Sequence, residues 1–248
     1  MCGRYSVGAR PEEIAERLGA ELAGGVGDAP ARFNVAPSQP APLLVATPGR
    51  RLGMARFGWT LPKKKGLLLN ARVEGVGKNA LFRAAGARHR ALVPADGFYE
   101  WQRDGRTKRA YFFHPARAGE LLTFAALFDV GREASEGDAH AADPKPVRAP
   151  SFLIITRPAE GVVSPVHDRM PLIVPAPLRD LWLDRVNEAK GLARVSNAKL
   201  LRLHAILSAV KKDFGSRAKL IDATNGRRTR TVIVTDSDDK VLLCNEPA

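Results

Sequence analysis

Short apolar runs separated by turn residues dominate the middle of this chain, and they leave little room for long helices. Ala91–Pro94 and Gly97–Gln102 read as strands. Asp104-Gly105 then supplies a tight turn into Ala110–His114, a hairpin signal. Leu121–Val130, Ser151–Thr156 and Leu172–Val174 continue the pattern. Upstream, Leu43–Thr47 and Leu52–Phe57 flank Pro48-Gly49-Arg50, a second hairpin, and Leu67–Arg72 reads as a buried strand.

Helices are expected at the margins. Pro11–Leu18 has proline in the first turn, Glu12 and Glu13 facing the positive end of the dipole, and Gly19 to stop it. Further helices are expected near Asn79–Ala85, over Pro177–Leu183 and over Asn197–Lys212, with a closing hairpin at Thr231–Thr235 and Lys240–Cys244. Residues 23–40 read as loop, with Asn34–Gln39 an extended segment before a strand. Many short strands with helices inserted predict one α+β domain over 1–248, not a doubly wound parallel sheet. Within it, 131–150 is polar and aperiodic and reads as a mobile insertion, and 184–248 as a C-terminal elaboration.

Charge narrows the function. Lys and Arg number 39 against 26 Asp and Glu, a net charge of +13. Such an excess attracts polyanions, nucleic acid among them, although charge scattered over solvated faces would give the same sum. Two cysteines, Cys2 and Cys244, cannot build a disulfide framework, so a reducing, cytoplasmic setting is expected, beside the nucleoid if the host is bacterial. The first twenty residues show no apolar signal region, and no run approaches the ~18 apolar residues of a membrane span. His89, His114, His140, His167 and His204 show no metal-ligand spacing, and no cofactor is expected.

The chain begins MCGRYS. Removal of an initiator methionine before a small residue would leave Cys2 carrying a free α-amine beside its thiol. The two groups titrate near ~7.7–8.0 and ~8.5 in free compounds, so both are partly nucleophilic at neutral pH. An amine condenses with an aldehyde to an imine. A thiol on the same residue can then close on the imine carbon, giving a five-membered thiazolidine. The plain alternative is a small residue that merely permits methionine removal.

Three other stretches carry polar groups among apolar neighbours. In LLLNARVE, Asn70 and Arg72 share one side of a strand, and a buried asparagine must find partners. VPADGFYEW sets Glu100 among aromatics, where desolvation favours the protonated acid. VHDRMP puts His167 in a polar loop before a strand. Singly, each also reads as a satisfied polar group at a strand end.

Together, MCGRY, FNVAPSQ (33–39), NARVE (70–74), VPADGFYEW (93–101), FLIITRPA (152–159) and VHDRMPLIV (166–174) resemble the SRAP family, the SOS-response-associated peptidases that process abasic sites in DNA. The motifs keep that family's order over roughly the first three-quarters of the chain. The resemblance implies a single compact domain with a curved, mainly antiparallel β core and peripheral helices. It implies that mature Cys2 captures the ring-opened aldehyde of an abasic site in single-stranded DNA, with Asn70, Glu100 and His167 around it. It also implies a DNA-repair role, expected of a monomer, with lyase or autoproteolytic peptidase activity as possible accompaniments. Arg4, Asn34, Arg72, Arg157 and Arg169 lie in or beside these motifs and are expected at the DNA. Trp59, in FGWTLP, is expected to stack on a base or to belong to the core, and Lys63–Lys65 behind it to bind phosphates.

Two other classes fit part of the sequence. An N-terminal-nucleophile amidohydrolase accounts for MCG but for neither VPADGFYEW nor VHDRMP. A basic single-strand-binding module accounts for the charge but not for Cys2.

Overall fold

In the computed structural model, residues 2–46, 49–61, 66–115, 120–131 and 148–183 are described, together with the backbone of 218–222, 231–235 and 241–245. In chain order the elements are β1 (Arg4–Val7), α1 (Pro11–Leu18), β2 (Glu21–Leu22), β3 (Arg32–Val35), β4 (Pro40–Ala46), β5 (Arg50–Phe57), β6 (Trp59–Thr60), β7 (Leu67–Leu68), β8 (Asn70–Arg72), α2 (Val73–Val76), α3 (Ala80–Arg88), β9 (Arg90–Ala95), β10 (Gly97–Asp104), β11 (Thr107–Pro115), β12 (Leu122–Asp129), β13 (Ser151–Pro158), β14 (Arg169–Pro171), α4 (Arg179–Leu183), β15 (Ala218–Asp222), β16 (Thr231–Thr235) and β17 (Val241–Asn245).

Alternation along the strands decides the first sheet, ordered β15-β11-β10-β1-β3. Tyr5 pairs with Phe98, and Phe98 with Phe113. All three are buried and form one apolar face. Arg4, Tyr99 and Phe112, one residue on, pair across the opposite face. Gly97 opens β10 because a Cβ there would stand 2.4 Å from the Phe113 carbonyl oxygen.

The second sheet runs β14-β13-β12-β9-β4-β5-β2. It curls until β13 meets β5 in parallel, Ser151 against Arg56 and Phe152 against Phe57. That contact closes β5, β4, β9, β12 and β13 into a ring. β8 lies parallel to β13 farther along the edge that meets β5, with Asn70 opposite Ile154. Phe57 and Phe152 stack at 5.3 Å where the ring closes, and Tyr5 and Phe124 meet edge to face at 6.0 Å between the sheets. This is a mixed fold with a mostly stranded core and few helices among the described residues, as expected.

The helix over Pro11–Leu18 forms as read, stopped by Gly19 in the left-handed region (φ 58°). The helix expected near 79–85 begins one residue later, with Asn79 as its cap accepting from the Leu81 amide at 2.9 Å. Two readings change. Residues 23–40 are not all loop, since β3 lies within them. The last strand before α4 is Arg169–Pro171, with Ile173 making only an isolated bridge to Phe124. The Lys63–Lys65 turn, most of the 131–150 insertion and the helix expected at 197–212 fall outside the described residues.

Candidate active site

Cys2 precedes β1 and is buried where the two sheets meet. Burial pushes its thiol pKa up, and the negative charge of Glu100 adds to that. In this environment the sulfur is held as a thiol, and becoming a nucleophile requires a neighbour to take its proton.

Asn70 reaches it from β8. The Asn70 Nδ2 donates to the Cys2 carbonyl oxygen at 3.1 Å and to the Ile154 carbonyl oxygen at 3.4 Å. Its Oδ1 is buried with no partner among the described residues, leaving an acceptor beside Cys2. The parallel β8–β13 pairing sets this geometry, because it fixes Asn70 against Ile154.

Glu100 sits in the middle of β10, on the same side as Phe98, and is 2% exposed. Burial raises its carboxyl pKa; the positive chain terminus and His167 oppose the rise. His167 faces it from the loop before β14, with Nε2 3.9 Å from the Glu100 Oε2.

The other ring nitrogen has one donor and two acceptors against it, the second acceptor being the Arg169 carbonyl oxygen at 3.2 Å. The Arg169 amide lies 2.9 Å from His167 Nδ1 and donates to it when that nitrogen is bare. The Asp168 Oδ1 lies 2.9 Å from the same nitrogen and accepts from it when it is protonated. The amide suits a bare Nδ1 and the two oxygens a protonated one, so either tautomer finds a partner. With Nδ1 bare, the ring proton lies on Nε2, toward Glu100; with Nδ1 protonated, the Asp168 carboxylate and the Arg169 carbonyl oxygen accept from it.

The sequence-predicted residues thus divide. Asn70 meets Cys2 by a hydrogen bond, Glu100 acts on it by charge, and His167 lies beside Glu100. Arg4 and Asn34 lie together on the outer side, Arg4 Nη1 donating to Asn34 Oδ1 at 3.2 Å. Arg72 is exposed at the end of β8. Arg157 and Arg169, expected at phosphates, are instead buried, 4% and 8% exposed, and engaged by carboxylates. Arg157 pairs with Glu160. Arg169 grips both oxygens of Glu74, at 2.8 and 3.1 Å, and donates to the Thr156 carbonyl oxygen at 2.7 Å. Of the two readings of Trp59, the core one matches its surroundings: it is 7% exposed, packs on Phe82, and its Nε1 donates to the Ser151 carbonyl oxygen at 3.2 Å.

The sequence reading gave no role to Glu74, which clamps Arg169, or to Gln102, which holds the loop of His167. A weak signal existed for Gln102. It lies two residues from Glu100 on a strand, so the two share a face. Among the described residues no cluster of His, Cys, Asp or Glu could hold a metal ion, and no helix is long and apolar enough to cross a membrane.

Comparison with known proteins agrees with the motifs. The chain is 28% identical over 237 residues to the abasic site processing protein YoaM of Bacillus subtilis, covering 91% of this chain and 99% of that one. A solved structure of a Bacteroides thetaiotaomicron protein, 18% identical, superposes with a TM-score of 0.67 over 90% of this chain and 93% of the other, a likeness of fold. The C-terminal part has a second affinity. Residues 202–248 match the family model described as extracellular matrix regulatory protein A-like. A stretch of 43 residues is 46% identical to a putative regulatory protein of Geobacillus thermodenitrificans, over 17% of this chain and 49% of that one. The elaboration expected at 184–248 thus carries a segment similar to another family. Over residues 1–213 the match is to the SOS response associated peptidase model, and the chain belongs to the SRAP family.

Proposed function

We propose that this protein processes abasic sites in single-stranded DNA by covalent capture through mature Cys2. The observation that carries the reading is a buried Cys2 held by Asn70 and acted on by the charge of Glu100, with His167 3.9 Å from that carboxylate. Abasic site processing relatives support the substrate class.

The steps balance as follows. The Cys2 amine adds to C1′ of the ring-opened sugar, giving a carbinolamine. Loss of water gives an imine. The Cys2 sulfur then bonds to the imine carbon and its proton passes to the nitrogen, closing a thiazolidine with net release of one water. Glu100, protonated more readily than an ordinary carboxyl, gives the proton that water needs to leave and takes the one the thiol must lose. Asn70 holds the Cys2 backbone and offers Oδ1 to the amine. His167 exchanges protons at the sugar oxygen and on reversal. An imine at C1′ also permits β-elimination, so lyase activity belongs to the same proposal, as does release of residues ahead of Cys2. Arg72, exposed at the end of β8, and Arg4, half-buried on β1, take flanking phosphates.

Intact mass after mixing with an abasic single strand tests the reading. The expected species is protein plus DNA less one water, lost when Cys2 becomes Ala or gains a preceding residue. An unchanged yield in those variants rules out the thiazolidine. Glutaminase activity would favour the amidohydrolase. Normal DNA association and no adduct in either wild type or Cys2→Ser would leave a binding module.

A further inference from the structure

We propose that Gln102 is a positioning residue for His167, acting through the backbone of the loop that carries it. The inference rests on the reading above, in which His167 exchanges protons beside Cys2. Gln102 Nε2 donates to the Pro165 carbonyl oxygen at 3.0 Å, and Gln102 Oε1 accepts from the Tyr111 hydroxyl at 3.0 Å. Both ends of the amide are thereby used in one orientation, and the side chain is fixed. Tyr111 is buried and pairs directly with Glu100 across the β10–β11 ladder. The anchor therefore grows from the same strand pair that holds the carboxylate.

The loop itself is a tight unit. The Val166 and His167 amides both donate to the Val163 carbonyl oxygen, at 2.9 and 3.0 Å, and the Ala159 amide to Asp168 at 2.9 Å. Past His167 it is tied down by the Arg169 guanidinium on Glu74 and Thr156. Before His167, Pro165 has no N–H to offer, so this residue is held through its carbonyl. Gln102 takes that carbonyl two residues from the imidazole. The 3.9 Å approach of His167 Nε2 to Glu100 is thus set from both sides of the loop, and Gln102 is the link to the strand that carries Glu100. Misplacing a reacting group by about 1 Å can cost on the order of 100-fold in rate.

The test is a variant cycle read on release of captured abasic single strands into excess competitor. Gln102→Leu, which keeps bulk but donates nothing, is expected to slow release about 10-fold, within the range such misplacement gives. Gln102→Lys, whose ammonium reaches the same carbonyl, is expected to restore most of it. In a His167→Ala background, Gln102→Leu is expected to add nothing, because the two act as one unit. Equal slowing in both backgrounds, or no recovery with lysine, overturns the proposal. A DNA-free measurement separates this from the capture reading. In ¹⁵N-labelled protein, Gln102→Leu is expected to shift the His167 ring nitrogens and speed amide exchange within 159–169. Unmoved ring signals overturn the positioning role whatever the chemistry; absence of any wild-type adduct, with the ring signals moved, overturns the capture reading alone.

Discussion

Asn70 holds the Cys2 carbonyl oxygen at 3.1 Å across 68 residues of sequence, and the same amide touches the Ile154 carbonyl oxygen. One side chain thus ties the start of the chain to the strand that closes the ring.

Replacing that amide is expected to loosen the site more than the fold. Asn70→Ala leaves two buried carbonyl oxygens without this donor, a cost of about 1–3 kcal/mol. Asn70→Asp sets a carboxylate against those two acceptors and is expected to be worse in both stability and capture. Thermal melts and adduct time courses check this; capture by Asn70→Asp at the wild-type rate would remove Asn70 from the site.

Glu100→Gln is expected to slow capture by a factor within the ~10²–10⁴ typical of an acid–base group. Its stability should move the other way. The folded carboxyl has a raised pKa, so the folded state binds the proton more tightly than the unfolded state. That favours folding at low pH and is lost as pH rises through the unfolded and then the folded value. The glutamine variant should therefore melt higher than wild type at pH 7, with the gap shrinking toward pH 4. A gap that is constant with pH would contradict the assigned cause.

His167→Ala is expected to leave part of the capture but to impair reversal, because the thiazolidine is stable and its opening needs the acid more. Release by this variant as fast as wild type would assign reversal to another group.

Trp59→Phe is expected to lower stability while leaving capture intact, because its indole packs on Phe82 and bonds to Ser151. Trp59→Ala should cost about 3–5 kcal/mol. A large loss of DNA affinity in a stable Trp59→Phe protein would return this residue to the DNA.

Neutralising Lys63, Lys64 and Lys65 is expected to reduce the slope of log affinity against log salt by up to ~2 units, at ~0.7 per single-strand phosphate contact. An unchanged slope would mean that those lysines do not meet phosphate.

Much of this was legible in the sequence because it is local. The α1 helix is written in Pro11, its glutamates and Gly19, and the β10–β11 hairpin in Asp104-Gly105. What escaped depends on distant pairing. β3 hides in a Gly- and Pro-rich stretch because it is an edge strand whose Phe33 is 67% exposed, so it lacks an apolar run. Arg157 and Arg169 read as surface cations; Arg157 is met by Glu160 three residues on, whereas the partner of Arg169, Glu74, arrives only through the tertiary fold. Gln102 carries only the weak signal of sharing a strand face with Glu100; its part emerges when the loop at 165 folds over β10.

The parallel contact of β13 with β5 also sets an order of events during synthesis. Cys2 leaves the ribosome first, but β13, which supplies the Ile154 carbonyl and the flank for β8, emerges some 150 residues later. Until then the ring stays open and Asn70 has no fixed seat. A nascent chain halted before Ser151 should remain protease-sensitive at its amino end, with Cys2 open to trimming enzymes. The site and the barrel-like ring close in one step, so the interval in which the first residue can be processed is set by the time taken to translate the last strand of the ring.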